Sequence, residues 1–125
     1  MEDVIKQMTQ PELIDHIITN GSKYLGIGEI ETMEGVHYRT KQWERKRYLI
    51  SVLCDHTIMT FKEIAIKLGY KQHSVVIYHY KNMKDDLSGE VYGSNKTKQI
   101  YNELLTYLKL QNNDTISKGI KNDGN

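Results

Sequence analysis

At 125 residues the chain offers one domain's worth of core, and no stretch of it approaches the roughly 18 apolar residues of a membrane span. One proline, one cysteine and nine glycines favour a mainly helical fold without an internal disulfide, and the acidic start at Glu2 and Asp3 is unlike a signal peptide, so a cytoplasmic setting is expected. The formal charge of +1 hides an uneven spread, −5 over residues 1–37, +7 over 38–84 and −1 over 85–125, and the middle block suits an anionic partner.

Residues 1–8 offer only Val4, Ile5 and Met8, which suits a frayed turn or a short helix. Thr9, Pro11 and Glu12 then form a helix-start signal, a capping box with Pro in the first turn. Leu13, Ile14, Ile17, Ile18, Gly21, Tyr24 and Leu25 follow at spacings of three and four, which predicts an amphipathic helix of about four turns ended by Gly26. Gly21 on the apolar stripe permits a close helix approach at some cost in propensity. Residues 27–33 suit one short turn, and 34–40 read as a loop. The pair Gly26 and Gly28 lacks the third glycine of a dinucleotide fingerprint.

A long helix is predicted from Thr40 to about His56, with Trp43, Arg47, Ile50 and Leu53 or Cys54 along one stripe and Leu49 and Val52 widening it. Arg45, Lys46 and Arg47 would then sit in its first turns, where positive charge opposes the helix dipole and an anionic partner would offset the repulsion. The alternative is an ordinary basic surface, with the Arg stems packed on Trp43 or Tyr48.

The central stretch is 60–80. Thr60 and Glu63 make a second capping box, Phe61, Ile64, Ala65 and Leu68 give one apolar face, and Gly69 stands where a left-handed residue ends a helix. A further apolar period starts at Val75 and Val76 and runs through Tyr80 and Met83 to an end near Asp86 or Leu87. Two helices joined by a short glycine-containing turn are a helix-turn-helix, whose second helix enters the major groove of DNA. Tyr78 and Tyr80 are two apart and cannot share a face, so one belongs to the core and the other to the surface, where its hydroxyl reaches a phosphate. After a loop over 88–94, Ser94 or Asn95 caps a last helix carrying Ile100, Tyr101, Leu104, Leu105 and Leu108, and 111–125 is a polar tail expected to be disordered.

His73 and His79 are six apart, which is not a metal spacing, and Cys54 has apolar neighbours. No single motif joins a nucleophile, a base and an orienting group. Neither a metal, a cofactor nor an enzymatic activity is expected.

The run Ile64, Ala65, Leu68, Gly69, Tyr70, Lys71, Gln72, His73, Ser74, Val75, Val76, Ile77 resembles the C-terminal DNA-binding domain of the bacterial replication initiator DnaA. The likeness extends upstream to Tyr24, Leu25, Gly26 and Ile27, to Arg45–Arg47 near the family's basic loop, and downstream to the last helix, covering about residues 12–110. It implies that His73 and Ser74 face bases and backbone at the start of the recognition helix. Lys71 stands where the family usually has Arg, keeping the charge and losing the planar fork. Gln72 replaces the usual Asp, exchanging an acceptor for cytosine for an amide able to pair with adenine, and Val75 replaces a Thr, putting a methyl where thymine can meet it. The site read should therefore differ from the initiator's. No G-x-x-x-x-G-K-[ST] phosphate loop occurs in these residues, so no nucleotide is expected.

Together these readings predict an all-α, compact bundle of five to six helices containing a helix-turn-helix, with the domain over 1–110. Double-stranded DNA is the expected partner, contacted through Lys71, Gln72, His73, Ser74, Val75 and Tyr78, with Arg45, Lys46, Arg47 and Lys62 on phosphates and Arg39 and Lys41 as further candidates. The role expected is replication control or transcriptional regulation, in a phage or mobile element among other settings. The alternative is an interaction module that binds or inhibits a replication protein through the same fold, favoured by the acidic first segment and the nine tyrosines.

Overall fold

The computed structural model describes residues 8–27, 36–88 and 94–110, with side chains from Gln42 in the second helix and from Asn95 in the last. The expected frayed start, most of the turn after Gly26, the loop before Ser94 and the polar tail lie outside the described residues. Five helices fill the rest: α1 Gln10–Leu25, α2 Val36–His56, α3 Phe61–Leu68, α4 His73–Leu87 and α5 Ser94–Leu108. Among the described residues there is no strand and no helix long and apolar enough to cross a membrane. The protein is an all-α bundle in which α3 and α4 form the helix-turn-helix.

Local chemistry sets most boundaries. At the start of α1, Thr9 Oγ1 accepts from the Glu12 N–H at 3.3 Å while Glu12 Oε1 accepts from the Thr9 N–H at 2.9 Å. The same reciprocal pair opens α3, at 3.1 Å from the Glu63 N–H to Thr60 Oγ1 and 2.8 Å from the Thr60 N–H to Glu63 Oε1. Each pair satisfies two otherwise orphaned donors. Gly26 and Gly69 end these helices at φ 74° and 84°. In both cases the next N–H reaches back to a carbonyl in the last turn, Ile27 to Ser22 at 2.9 Å and Tyr70 to Ala65 at 2.8 Å.

One boundary differs from expectation. Helix α2 starts at Val36, so residues 36–40 are helical rather than a loop. Nothing between Val36 and His56 is Pro or Gly, and the polar composition that suggested a loop is no obstacle to helix. Arg45–Arg47 consequently lie in the interior of α2, beyond the first turn where the dipole is felt. The dipole repulsion inferred for them does not operate.

The core joins all five helices through Ile17, Leu49, Ile50, Leu53, Phe61, Ile64, Val76, Met83, Leu104 and Leu108, each at most 1% exposed. Of the α1 stripe only Ile17 and Gly21 are fully buried. A Cβ on Gly21 would stand 2.9 Å from Leu49 Cδ1, so this glycine lets α1 close on α2. The far end of α5 is held by His16, whose Nε2–H donates to the Leu108 carbonyl at 2.9 Å while the Asn20 amide donates to Nδ1 at 3.0 Å. Lys109 turns the chain at φ 62°, and the Leu110 N–H returns to the Leu105 carbonyl at 2.9 Å.

The densest polar contact inside the bundle is at Asp55, near the end of α2 and 4% exposed. Tyr80 Oη of α4 donates to Oδ1 at 2.7 Å, and Tyr101 Oη of α5 donates to Oδ2 at 3.0 Å. Lys84 Nζ lies 3.0 Å from Oδ1 and 3.1 Å from Oδ2. Burial, followed by the nearby carboxylate, drives both phenols far above their ordinary ionisation range, so each remains a donor.

Removing the carboxylate leaves two buried hydroxyls unpaired, and Asp55→Ala is expected to cost about 3 kcal/mol in urea unfolding. Lys109 holds a left-handed backbone that glycine adopts freely, so Lys109→Gly is expected to raise stability by about 0.5–1 kcal/mol in the same assay.

Candidate nucleic-acid interface

Residues 69–72 form the turn between α3 and α4, and α4 begins at His73. Gln72 precedes it in an extended conformation and makes no side-chain capping hydrogen bond, while no acid occupies the first turn of α4. The start of this helix thus presents backbone donors and a positive dipole end with no carboxylate nearby in sequence. Lys71, Gln72, His73 and Ser74 are all exposed around it, and Ser74 Oγ donates to Gln72 Oε1 at 3.4 Å. The tip expected from the sequence is therefore a single contiguous exposed corner. Val75 and Ile77 are partly buried beside it.

Further along α4 the outward face continues through Tyr78 and Lys81, one and two turns beyond Ser74. Tyr78 is 57% exposed and Tyr80 is buried, which assigns the surface and core roles that spacing left open. Lys62 is exposed on α3, where Ile66 is 70% exposed.

The basic trio of α2 is dispersed by its helical positions. Arg45 donates from Nη1 to the Gly26 carbonyl at 3.1 Å, tying α2 to the end of α1. Arg47 pairs with Asp86 of α4 at 2.7 Å, both about one quarter exposed. Lys46 places its ammonium 5.5 Å from the centre of the Tyr70 ring. Lys46 thus lies beside the turn at Tyr70, whereas Arg45 and Arg47 hold helices together. Arg45 and Arg47 further line an open groove of about 550 Å³ with Tyr24, Leu25, Tyr48 and Lys96. Side chains of Arg39 and Lys41 lie outside the described residues.

Trp43 departs from its expected place. Rather than joining the buried stripe it is 44% exposed, its ring 4.2 Å from that of His79 and 6.3 Å from that of Tyr78. Beneath it His79 is fully buried, and neither ring nitrogen has a hydrogen-bond partner among the described residues. Burial first, then the charges of Arg47 and Lys46, push its pKa down to about 4. Residues 43 and 79 are too far apart in sequence for periodicity to pair them. Tyr78 was expected at the surface; its pairing with a half-exposed Trp43 of α2 is the feature that sequence reading missed.

Among the described residues no group of three or more His, Cys, Asp or Glu side chains could hold a metal ion. In comparisons with protein-family models, curated proteins and solved structures, the chain matches none of them.

The depressed histidine links stability to pH. An unfolded His79 takes up a proton near pH 6.5, whereas the folded one resists until about pH 4. Its neutral form is thus fully compatible with the fold above pH 6.5, and stability is lost as pH falls from there to 4, by about 3 kcal/mol at most. Urea unfolding measured across this range should show His79→Leu losing much of that slope, the remainder belonging to the carboxylates.

Proposed function

We propose that this chain is a sequence-specific double-stranded DNA-binding protein of the kind its DnaA-like motif suggests, acting in replication control or transcriptional regulation. The observation that carries it is the exposed corner Lys71-Gln72-His73-Ser74 at the uncapped start of α4, in the one segment of the chain with a charge of +7. On this reading α4 lies in the major groove, where Gln72 suits adenine and the Val75 methyls suit thymine. His73 and Ser74 meet base edges and backbone. Lys71, Lys62 and Lys46 neutralise phosphates, and Tyr78 offers its hydroxyl to one more.

A second reading is favoured by the engagement of Arg45 with Gly26 and of Arg47 with Asp86. These contacts leave fewer uncommitted cations for phosphates than the sequence suggested. The acidic first segment and the exposed, paired rings of Tyr24 and Tyr107, 4.7 Å apart, would suit a protein partner in replication.

Selection from a random duplex library separates the two. Enrichment of one motif, with binding that weakens steeply with salt, supports the first reading. Lys71 is exposed, so Lys71→Glu should leave the melting temperature unchanged while weakening that duplex by about tenfold or more. A library that yields no enriched motif, together with a protein partner still captured by Lys71→Glu, would replace the first reading with the second.

A further inference from the structure

We propose that Trp43 and Tyr78 form an aromatic ledge that takes the deoxyribose–phosphate edge of one DNA strand, beside the groove read by Lys71–Ser74. This rests on the DNA-binding reading and extends it to α2, which the helix-turn-helix pattern does not include. The two rings come from different helices, are 44% and 57% exposed, and stand 6.3 Å apart at 49°. Trp43 is fixed in place by the buried His79 ring, so the ledge is ordered before any partner arrives. Indole and phenol each combine an apolar face with one hydrogen-bond donor, the combination a sugar flanked by phosphates requires.

Position and charge decide the occupant. Tyr78 is one helical turn, about 6 Å, beyond Ser74 on the same face of α4. A major groove about 12 Å wide therefore brings a phosphate strand into reach of Tyr78 when Ser74 and His73 are at the bases. Lys81 is exposed three residues beyond Tyr78 on α4, Lys46 and Arg47 act electrostatically on the His79 ring beneath Trp43, and α4 carries no acid before Asp85. Glu44, next to Trp43 in sequence, lines the groove shared with α1 and α5. An aromatic surface within such a cationic frame complements a polyanion and disfavours an acid-poor or basic protein face. Contact with sugar and phosphate makes the ledge a source of affinity rather than of base preference.

Trp43 is the sole tryptophan, so its emission reports on this surface without any substitution. Titrating the wild-type protein with its selected duplex should change Trp43 emission with the same midpoint as binding. Tyr78→Ala, at a surface position, should keep the melting temperature and the preferred motif while weakening every duplex by about five- to tenfold. Replacing the phosphates flanking the motif with uncharged methylphosphonates should weaken the wild type more than Tyr78→Ala. If the duplex binds with unaltered emission and Tyr78→Ala binds as well as wild type, the ledge belongs to another partner and this proposal fails alone. If no duplex binds, the proposal and the reading beneath it fail together.

Discussion

The fold turns on one buried carboxylate. Asp55 gathers Tyr80, Lys84 and Tyr101, so that the end of α2 is hydrogen-bonded to both α4 and α5 at a single point. Such an acid is costly to desolvate, and its two phenol donors and one ammonium offset that cost only in one relative placement of the helices. Hydrophobic burial alone would tolerate sliding of α4 along α2, since Leu, Ile and Met side chains accept several registers. The directional bonds to Asp55 select among them. The register of α4 then fixes where His73 and Ser74 point, about two turns from Tyr80 at the start of the helix.

Around that hub, cations serve structure and surface at once. Arg47 bridges α2 to Asp86, Lys84 completes the Asp55 cluster, Arg45 holds the end of α1, and Lys46 lies over Tyr70. A partly exposed ion pair contributes modestly to stability. Its remaining effect is to order long side chains that would otherwise have to be immobilised on binding. The net positive potential of residues 38–84 survives these contacts, because the acids involved number fewer than the bases in the same segment. Lys62, Lys71 and Lys81 remain exposed, and they are the residues best placed to change a salt dependence without changing the fold.

Features carried by neighbours in sequence were legible in advance. Both capping boxes, the left-handed Gly26 and Gly69, the exposed corner 71–74 and the opposed faces of Tyr78 and Tyr80 depend on spacings of two to four residues, and each stands where the pattern put it. Gly21 was readable as a close approach because it interrupts an apolar stripe. The start of α2 was not, since polar residues without Pro or Gly are compatible with loop and helix alike. Trp43 was misplaced because a large aromatic at helical spacing ordinarily marks a core, whereas here the core position opposite it is filled by His79. Asp55 drew no notice for the converse reason. A lone acid after the apolar run 49–54 looks like the wet end of a helix until Tyr80, Lys84 and Tyr101 converge on it from elsewhere in the chain. The DNA-reading role given to the corner came from the motif, and the fold is compatible with it without depending on it.

The His79 site shows how surface and interior are joined. An imidazole buried without a hydrogen-bond partner among the described residues is a poor core residue by the usual accounting, since burying its ring nitrogens carries a cost that an aliphatic side chain would avoid. Its flat ring nevertheless supplies something an aliphatic would not, an aromatic contact with the Trp43 indole, centroids 4.2 Å apart and planes tilted by 59°, with Tyr78 and Tyr70 at its margins. Burial and the charges of Arg47 and Lys46 disfavour a proton on this ring, which therefore stays neutral above about pH 4. That neutrality follows from the packing of α2 on α4, which is the same packing that Asp55 holds in register.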